Sequence, residues 1–546
     1  MAERKRGYAV FTLLGMAIIF FTKTGYDLSK NGNIDWKMSY ILSLLFITMT
    51  GGVILGILSV TLLRKARIKA VSKDTKETFL LKLPFSWTVI FLFWLPCFLA
   101  YYPAICAYDT PIQLGQCAAG MWNDHHPYIH TWVMNAFWQL GKGMFGNADT
   151  GMALYALFQM TVLSGAFAVS MLLLKRRKCR NTVLYLLLAF SCLYPYHMFM
   201  AVSVTKDSLF APFLLLAAVL CYCILIDRRN ELKWNKTDVA LLISVLPAMW
   251  FRNNARYAVM LFVFLLLLVS IFGKREKKLY IRMFLVTAAG LLLGMVSLSV
   301  SYRAANVQQG DRREMLSMPI QQLARTMYYH EDSIEPETRQ FLGNVMLNEA
   351  WKEYNPAISD PVKRNVYTGY IKNNFGGFIK IYLQLFLRYP GDFINAALAV
   401  DAGYLYPFDT SCMTVNMRAG EQGLGYVQTA WDASLSDYGI TENPVFPWLH
   451  DFLEGIVSSN AFLKWPVVNL LFFPGWLIWV YLYAAAVLWY KRQYGKLIPL
   501  ALVGGYFATL LLGPTVQLRY IYPVTICLPY ILAAVSTEKR SKGEHD

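Results

Sequence analysis

Residues 101–131, YYPAICAYDTPIQLGQCAAGMWNDHHPYIHT, begin at the end of an apolar run over 85–102 that is long enough to cross a bilayer. The stretch contains two acids and three of the chain's seven histidines, at Asp109, Asp124, His125, His126 and His130. Carboxylate and imidazole groups transfer protons near neutral pH and ligate metals. We therefore expect a functional loop at the end of a membrane helix. The alternative is a polar loop in which Asp124 caps a helix begun by Pro127.

Composition is typical of a polytopic helical membrane protein. Of 546 residues, 56% are hydrophobic and only 16% are charged, against roughly 25% charged in soluble domains. Apolar runs of membrane length recur along the chain. The net charge of +17 does not indicate nucleic-acid binding, because most Lys and Arg residues fall in short loops between apolar runs.

The apolar runs predict an all-α protein with about twelve transmembrane helices. The predicted spans are 8–22, 38–63, 85–103, 151–174, 181–204, 208–226, 237–251, 256–272, 280–300, 465–490, 497–513 and 518–536. The first is kept as an uncleaved span, because the run after MAERKRG lacks a small-residue cleavage site.

The distribution of basic loops predicts the orientation of the chain in the membrane. The loops RKARIKAVSKDTKETFLLK, KRRKCR, DRRNELKWNK, GKREKK and KRQYGK are basic, as are both termini. With twelve spans they all lie on one side, which the positive-inside rule assigns to the cytoplasm. We therefore predict a cell-membrane protein with both termini in the cytoplasm.

The predicted extracytoplasmic side contains the long polar segments, and these segments define the domain organisation. We divide the chain into a bundle at 1–300 with a first outward loop at 104–150, an extracytoplasmic segment at 301–464, and C-terminal spans with a cytoplasmic tail at 465–546. In the long segment, SMPIQQLARTMYYH predicts a helix with Pro319 in its first turn. FGGFIKIYLQLFLRYP predicts an amphipathic helix on the membrane surface. We expect this insertion to be mostly helical.

Cations recur in the short outward turns, where positive charge is normally depleted. These turns carry Lys206 with Asp207, then Arg252 with Asn253 and Arg256, then Gln517 with Arg519. Snorkelling of single side chains at the interface is the alternative, and we expect it for Arg256, which lies nearest the start of its span. Three such turns on the face of the acidic and histidine cluster favour a shared anionic ligand, most simply a lipid phosphate.

The order of these motifs resembles an uncharacterised bacterial family of multi-pass proteins with the architecture of GT-C glycosyltransferases. The resemblance runs from the acid after the third span, through HHP, TKD, RNN and SMPIQQLAR, to GPTVQLRYIYP. It implies an inverting transfer of a sugar from a polyprenyl-phosphate carrier to a cell-envelope glycan, lipid or polymer acceptor. It also implies that Asp109 is the base and that the cations hold the carrier phosphate.

His125 and His126 are candidate catalytic residues beside Asp109. We favour a role in binding acceptor hydroxyls or orienting Asp109. The alternative is that they join Asp124 and Asp109 around a divalent ion such as Mg²⁺ or Mn²⁺. No metal ligand is assigned. Cys106 and Cys117 flank Asp109 and could pair if that side is oxidising.

Three other functions compete with glycosyl transfer. A different lipid-phosphate-modifying transferase would need the same cations. A flippase or transporter should carry charged or broken segments at mid-membrane, whereas the ionisable groups here cluster at the outer ends. A zinc hydrolase would use His126 and His130 at i, i+4, but no Glu lies between them as the metalloprotease motif requires.

Overall fold

The structure is a computed structural model that describes residues 2–65, 79–107, 109–273, 276–408, 429, 431–459 and 461–536. These residues form α-helices and short 3₁₀ turns, and no β-strand is found among them. The helices are α1 Ala2–Asn31, α2 Met38–Lys65, α3 Leu83–Ala100, α4 Thr110–Ala119, α5 Tyr128–Phe145, α6 Ala148–Arg176, α7 Asn181–Leu193, α8 Pro195–Val202, α9 Lys206–Asp227, α10 Lys236–Phe251, α11 Ala255–Phe272, α12 Lys277–Ala304, α13 Ser317–His330, α14 Pro336–Val345, α15 Asp360–Lys363, α16 Thr368–Asn373, α17 Phe375–Arg388, α18 Pro390–Val400, α19 Ala402–Leu405, α20 Pro447–Ser458, α21 Ala461–Lys464, α22 Pro474–Tyr490, α23 Leu497–Leu510 and α24 Leu518–Ser536. The predicted all-α class is confirmed for the described residues.

Apolar helices of membrane length confirm the polytopic membrane class. Eight helices in the described ranges are long and apolar enough to cross a bilayer: α1, α2, α3, α6, α9, α11, α12 and α24. α7 and α8 together make a ninth candidate, bent by 55°. The remaining predicted spans correspond to α10, α22 and α23, which have 16, 17 and 14 residues and are short for a full crossing. The predicted count of twelve is therefore not confirmed.

The bend between α7 and α8 interrupts the predicted span 181–204. Pro195 cannot donate a hydrogen bond to the preceding turn, and Tyr194 before it is extended, as residues before proline prefer. Beyond the bend, His197 shares a hydrogen bond with the Tyr522 hydroxyl at 3.0 Å, which ties α8 to α24.

Loops predicted to lie outside the cytoplasm contact one another at one end of the bundle, which we call the site face. The contacts join Asn33 with Arg325, Trp122 with Gln308, Asp124 with Asn253, and Ser359 with Pro514. Segments hundreds of residues apart therefore end on the same face.

The basic loops and the described chain ends contact one another at the opposite end, the basic face. Arg177 pairs with Asp227 at 2.8 Å, Arg6 donates to the Tyr490 carbonyl, and Lys496 donates to the Val535 carbonyl. These contacts join described parts of the segments that the charge pattern assigns to one side.

The first part of the segment predicted to be extracytoplasmic has its own hydrophobic core. Buried residues between Ile320 and Phe393 form this core, whereas Tyr404, Leu435 and Leu453 join the core of the main bundle. The predicted helix with Pro319 in its first turn is present as α13. The amphipathic α17 leaves apolar side chains such as Phe375 and Leu387 exposed.

Candidate functional site

The loop after α3 is fixed to the start of α9 by backbone hydrogen bonds. The Ile105 N–H donates to the Val202 carbonyl at 3.1 Å, and the Val204 N–H donates to the Ile105 carbonyl at 2.9 Å. Val204 lies just before α9, so this pairing places the loop residue Asp109 beside Lys206, the first residue of that helix.

Two cations from distant segments meet on one carboxylate oxygen. The Lys206 ammonium contacts Asp109 Oδ2, and Arg519 Nη1 contacts the same oxygen at 3.1 Å. Arg519 is oriented by its Nε–H, which donates to Gln517 Oε1 at 2.7 Å, and by Nη2, which donates to the Tyr520 hydroxyl at 3.3 Å. We call Asp109, Lys206, Arg519 and His126 the Asp109 cluster.

Asp109 is a partly accessible, ionised carboxylate. Its side chain is 21% exposed, so one side of it faces solvent. Burial opposes its ionisation, but the charges of Arg519 and Lys206 outweigh burial and hold the pKa of Asp109 well below its usual range. The carboxylate therefore carries its negative charge throughout the neutral pH range.

His126 is buried in the cluster as a neutral imidazole. Its Nδ1 lies 3.2 Å from the Lys206 ammonium and 3.8 Å from Asp109 Oδ2. Burial, followed by the nearby charge of Lys206, lowers the pKa of His126 to about 2. An ammonium can only donate, so Nδ1 accepts and the proton resides on Nε2. Among the described residues Nε2 has no hydrogen-bond partner, which leaves a buried donor free for a ligand oxygen.

A buried ion pair lies next to the Asp109 cluster. Arg252 contacts Asp207, and their side chains are 7% and 0% exposed. The guanidinium carbons of Arg252 and Arg519 each lie 4.9 Å from the centre of the Tyr520 ring, so they are separated by at most twice that distance. Lys206, Arg252 and Arg519 thus converge on one region, as their positions in short outward turns predicted.

Asp124 and Asn253 fasten the loop rather than face the cluster. Asp124 accepts a hydrogen bond from the Gly310 N–H, and the Asn253 amide donates to the Asp124 carbonyl at 3.0 Å. A side chain at position 310 would approach the His125 nitrogen to 2.9 Å, so glycine permits this close contact. His125 itself is exposed and lies edge-on against His126, with ring centres 4.6 Å apart.

Arg256 has no hydrogen bond or ion pair with Asp109, Lys206, Arg519 or His126 in the described part of the chain. Its guanidinium group is over the ring of its neighbour Tyr257, 5.0 Å from the ring centre, and the Asp109 cluster is assembled without it. This is the behaviour of a side chain at a helix end that covers an apolar surface.

His130 belongs to the core and not to the candidate site. Gln113 Nε2 donates to His130 Nδ1 at 3.0 Å, and His130 Nε2 lies 2.8 Å from the Tyr155 hydroxyl. His126 precedes Pro127, outside the helix that contains His130. The two histidines therefore do not share a helical face, and Asp124 does not cap α5.

Neither a disulfide nor a ready-made metal site is found at this loop. Cys106 and Cys117 are free and buried. Within the described ranges no group of three or more His, Cys, Asp or Glu side chains is placed to hold a metal ion.

Little in the sequence indicates two of the residues that shape the site. Tyr520 lies between two arginines, and only its position next to Arg519 hinted at this. Gln159 donates to the carbonyls of Met200, Ala201 and Ser203, and so fixes the turn that leads to Lys206. A lone glutamine inside an apolar helix carries no signal of such a role.

A family model agrees with most of the chain. It describes a family of unknown function, DUF6020, and it matches residues 116–546. The chain belongs to this family. The matched region contains His126, Lys206, Arg252 and Arg519 but begins after Asp109. No curated protein and no solved structure matches the chain.

Proposed function

We propose that this protein is a membrane glycosyltransferase that moves a sugar from a polyprenyl-phosphate carrier to an extracytoplasmic acceptor in the cell envelope. The observation that carries the proposal is the contact of one accessible carboxylate, Asp109, with Lys206 and Arg519 from two other loops. Two cations that converge at a helix end suit a phosphate, and an adjacent carboxylate suits proton removal.

The chemistry assigns one task to each group. The Asp109 carboxylate takes the proton of the acceptor hydroxyl as its oxygen attacks the anomeric carbon. The bond from that carbon to the phosphate oxygen breaks, and its electron pair stays on the phosphate. Lys206 and Arg519 stabilise the charge that develops there. A single displacement of this kind inverts the anomeric centre.

The membrane topology is part of the same proposal. We infer twelve crossings, with α10, α22 and α23 completing the span set and the α7–α8 pair crossing once. The basic face is cytoplasmic by the positive-inside rule, which places both termini inside a bacterial cell and the Asp109 cluster outside.

Labelling with a membrane-impermeant thiol reagent tests this topology. A cysteine at Asn373, exposed beside α17, should react in intact cells, and one at Lys178, exposed on the basic face, should react only after lysis. The unsubstituted chain is the control. Reaction of both cysteines in intact cells would contradict the twelve-crossing topology.

The proposed function is tested by the lipids of a strain that lacks this chain. A missing transferase leaves its donor unused, so sugar-linked polyprenyl phosphate should accumulate. Accumulation of a carrier without sugar would favour another lipid-phosphate-modifying reaction, and an unchanged lipid pool would reject both.

A further inference from the structure

The position of Asp109 Oδ2 has the surroundings of a phosphate oxygen. Lys206 and Arg519 both contact this atom, and their close approach to one oxygen is the geometry that binds phosphate. Gln517 and Tyr520 hold Arg519 in place, so the second cation does not depend on Asp109 for its orientation.

We propose that Asp109 is the resident anion of its own phosphate site, and that phosphate binding displaces its carboxylate from Lys206 and Arg519. The inference rests on the proposed function and adds to Asp109 a role in setting phosphate affinity. In the structure the Asp109 carboxylate occupies the anion position between Lys206 and Arg519.

The charges of the described side chains fit such an exchange. The site contains the cations Lys206, Arg252 and Arg519 and the carboxylates Asp109 and Asp207, with His126 neutral. The net charge of the site is therefore +1. A phosphodiester with one negative charge neutralises the site if Asp109 stays nearby. Arg252 takes no part, since its partner Asp207 is fully buried.

His126 provides a second, independent indication of a ligand. It is 3% exposed, its Nδ1 faces Lys206, and its Nε2–H donor is unpartnered among the described residues. Buried donors without partners cost free energy, and an incoming oxygen would remove that cost. The contact with Nδ1 also holds Lys206 in place once Asp109 has left.

The exchange couples donor binding to activation of the base. A carboxylate in contact with two cations is a weak base, and its basicity rises when the cations are taken by another anion. Asp109 would then accept a proton readily only when the carrier phosphate is bound. The released carboxylate remains beside the phosphate, where the acceptor hydroxyl must arrive.

Phosphate affinity of the full chain in nanodiscs tests the exchange. The probe is farnesyl methyl phosphate, a phosphodiester with one negative charge and no sugar, measured by calorimetry. Asp109→Asn should tighten its binding by about tenfold, because the competing charged contact is removed. Asp124→Asn changes the same charge in the same loop, but Asp124 contacts none of Lys206, Arg252 and Arg519. The variant should therefore change the affinity by less than about twofold.

Other outcomes separate the inference from the proposed function. If Asp109→Asn is folded and binds the probe no more tightly than the wild type, the exchange is wrong. If that variant does not fold, Asp109→Asn is compared in an Arg519→Ala background, where the net charge of the wild type is restored. Tighter binding there than for Arg519→Ala alone supports the exchange, and equal or weaker binding overturns it. Failure of the wild type to bind the probe would instead reject the phosphate site, and with it the proposed function.

Discussion

Asp109→Asn should reduce turnover by on the order of a hundredfold or more while the amount of protein in the membrane stays unchanged. Asparagine preserves the size of the side chain and part of its hydrogen bonding, but it cannot accept the proton of an acceptor hydroxyl. The loop should keep its place, because Ile105 and its backbone pairing with Val202 and Val204 do not involve the side chain. The measurement is the rate at which the variant consumes lipid-linked sugar.

Asp124→Asn is the matched control for turnover. Asp124 holds the same loop through Gly310, and it has no contact with Lys206 or Arg519. We expect a loss of at most a few fold from slightly weaker loop packing. Equal losses for Asp109→Asn and Asp124→Asn would mean that Asp109 is only a structural acid of the loop.

Asp207→Asn should lower the free energy of unfolding by about 3–5 kcal/mol, since it leaves the buried Arg252 without its counter-ion. Asp207 is fully buried and Arg252 is 7% exposed, so water cannot replace the lost partner. Denaturant titration of the purified protein in micelles measures the change.

The same helix offers the control for this stability change. Asp227, at the other end of α9, pairs with Arg177, and their side chains are 33% and 12% exposed. Asp227→Asn should cost at most about 1 kcal/mol. If Asp207→Asn and Asp227→Asn lower the free energy of unfolding by similar amounts, burial does not determine how much the Arg252–Asp207 pair contributes to stability.

The fold was predictable where local sequence decides it. Apolar runs predicted the helices, and the placement of basic loops predicted which loops share a face. The number of crossings was not predictable, because α10, α22 and α23 are near the lower limit of span length. The break at Pro195 was also missed, since a proline inside an apolar run either kinks a helix or ends it.

The sequence predicted which residues belong to the site better than it predicted the role of each residue. Lys206, Arg252 and Arg519 were expected together because cations are depleted from outward turns. Arg256, nearest the start of its span, was the cation expected to snorkel. The contacts of His130 with Gln113 and Tyr155 are tertiary, and no local pattern predicts them.

The contact of Asp109 with two cations was likewise not predictable from the sequence. Asp109 was predicted as a base and the cations as phosphate ligands, with no contact between them. Arg519 lies 410 residues from Asp109 along the chain, and only the packing of α24 and the loop after α3 brings them together. This contact is what led us to infer an exchange between carboxylate and phosphate.

The most direct test of sugar transfer from a polyprenyl phosphate is mass spectrometry of the lipids in a strain that lacks the chain. We expect a polyprenyl phosphate that carries a sugar to accumulate, and an envelope component to lose that sugar. Expression of the wild-type chain should reverse both changes, whereas Asp109→Asn should reverse neither. If the lipid-linked sugars of the deletion strain match those of the wild type, the proposed function is contradicted.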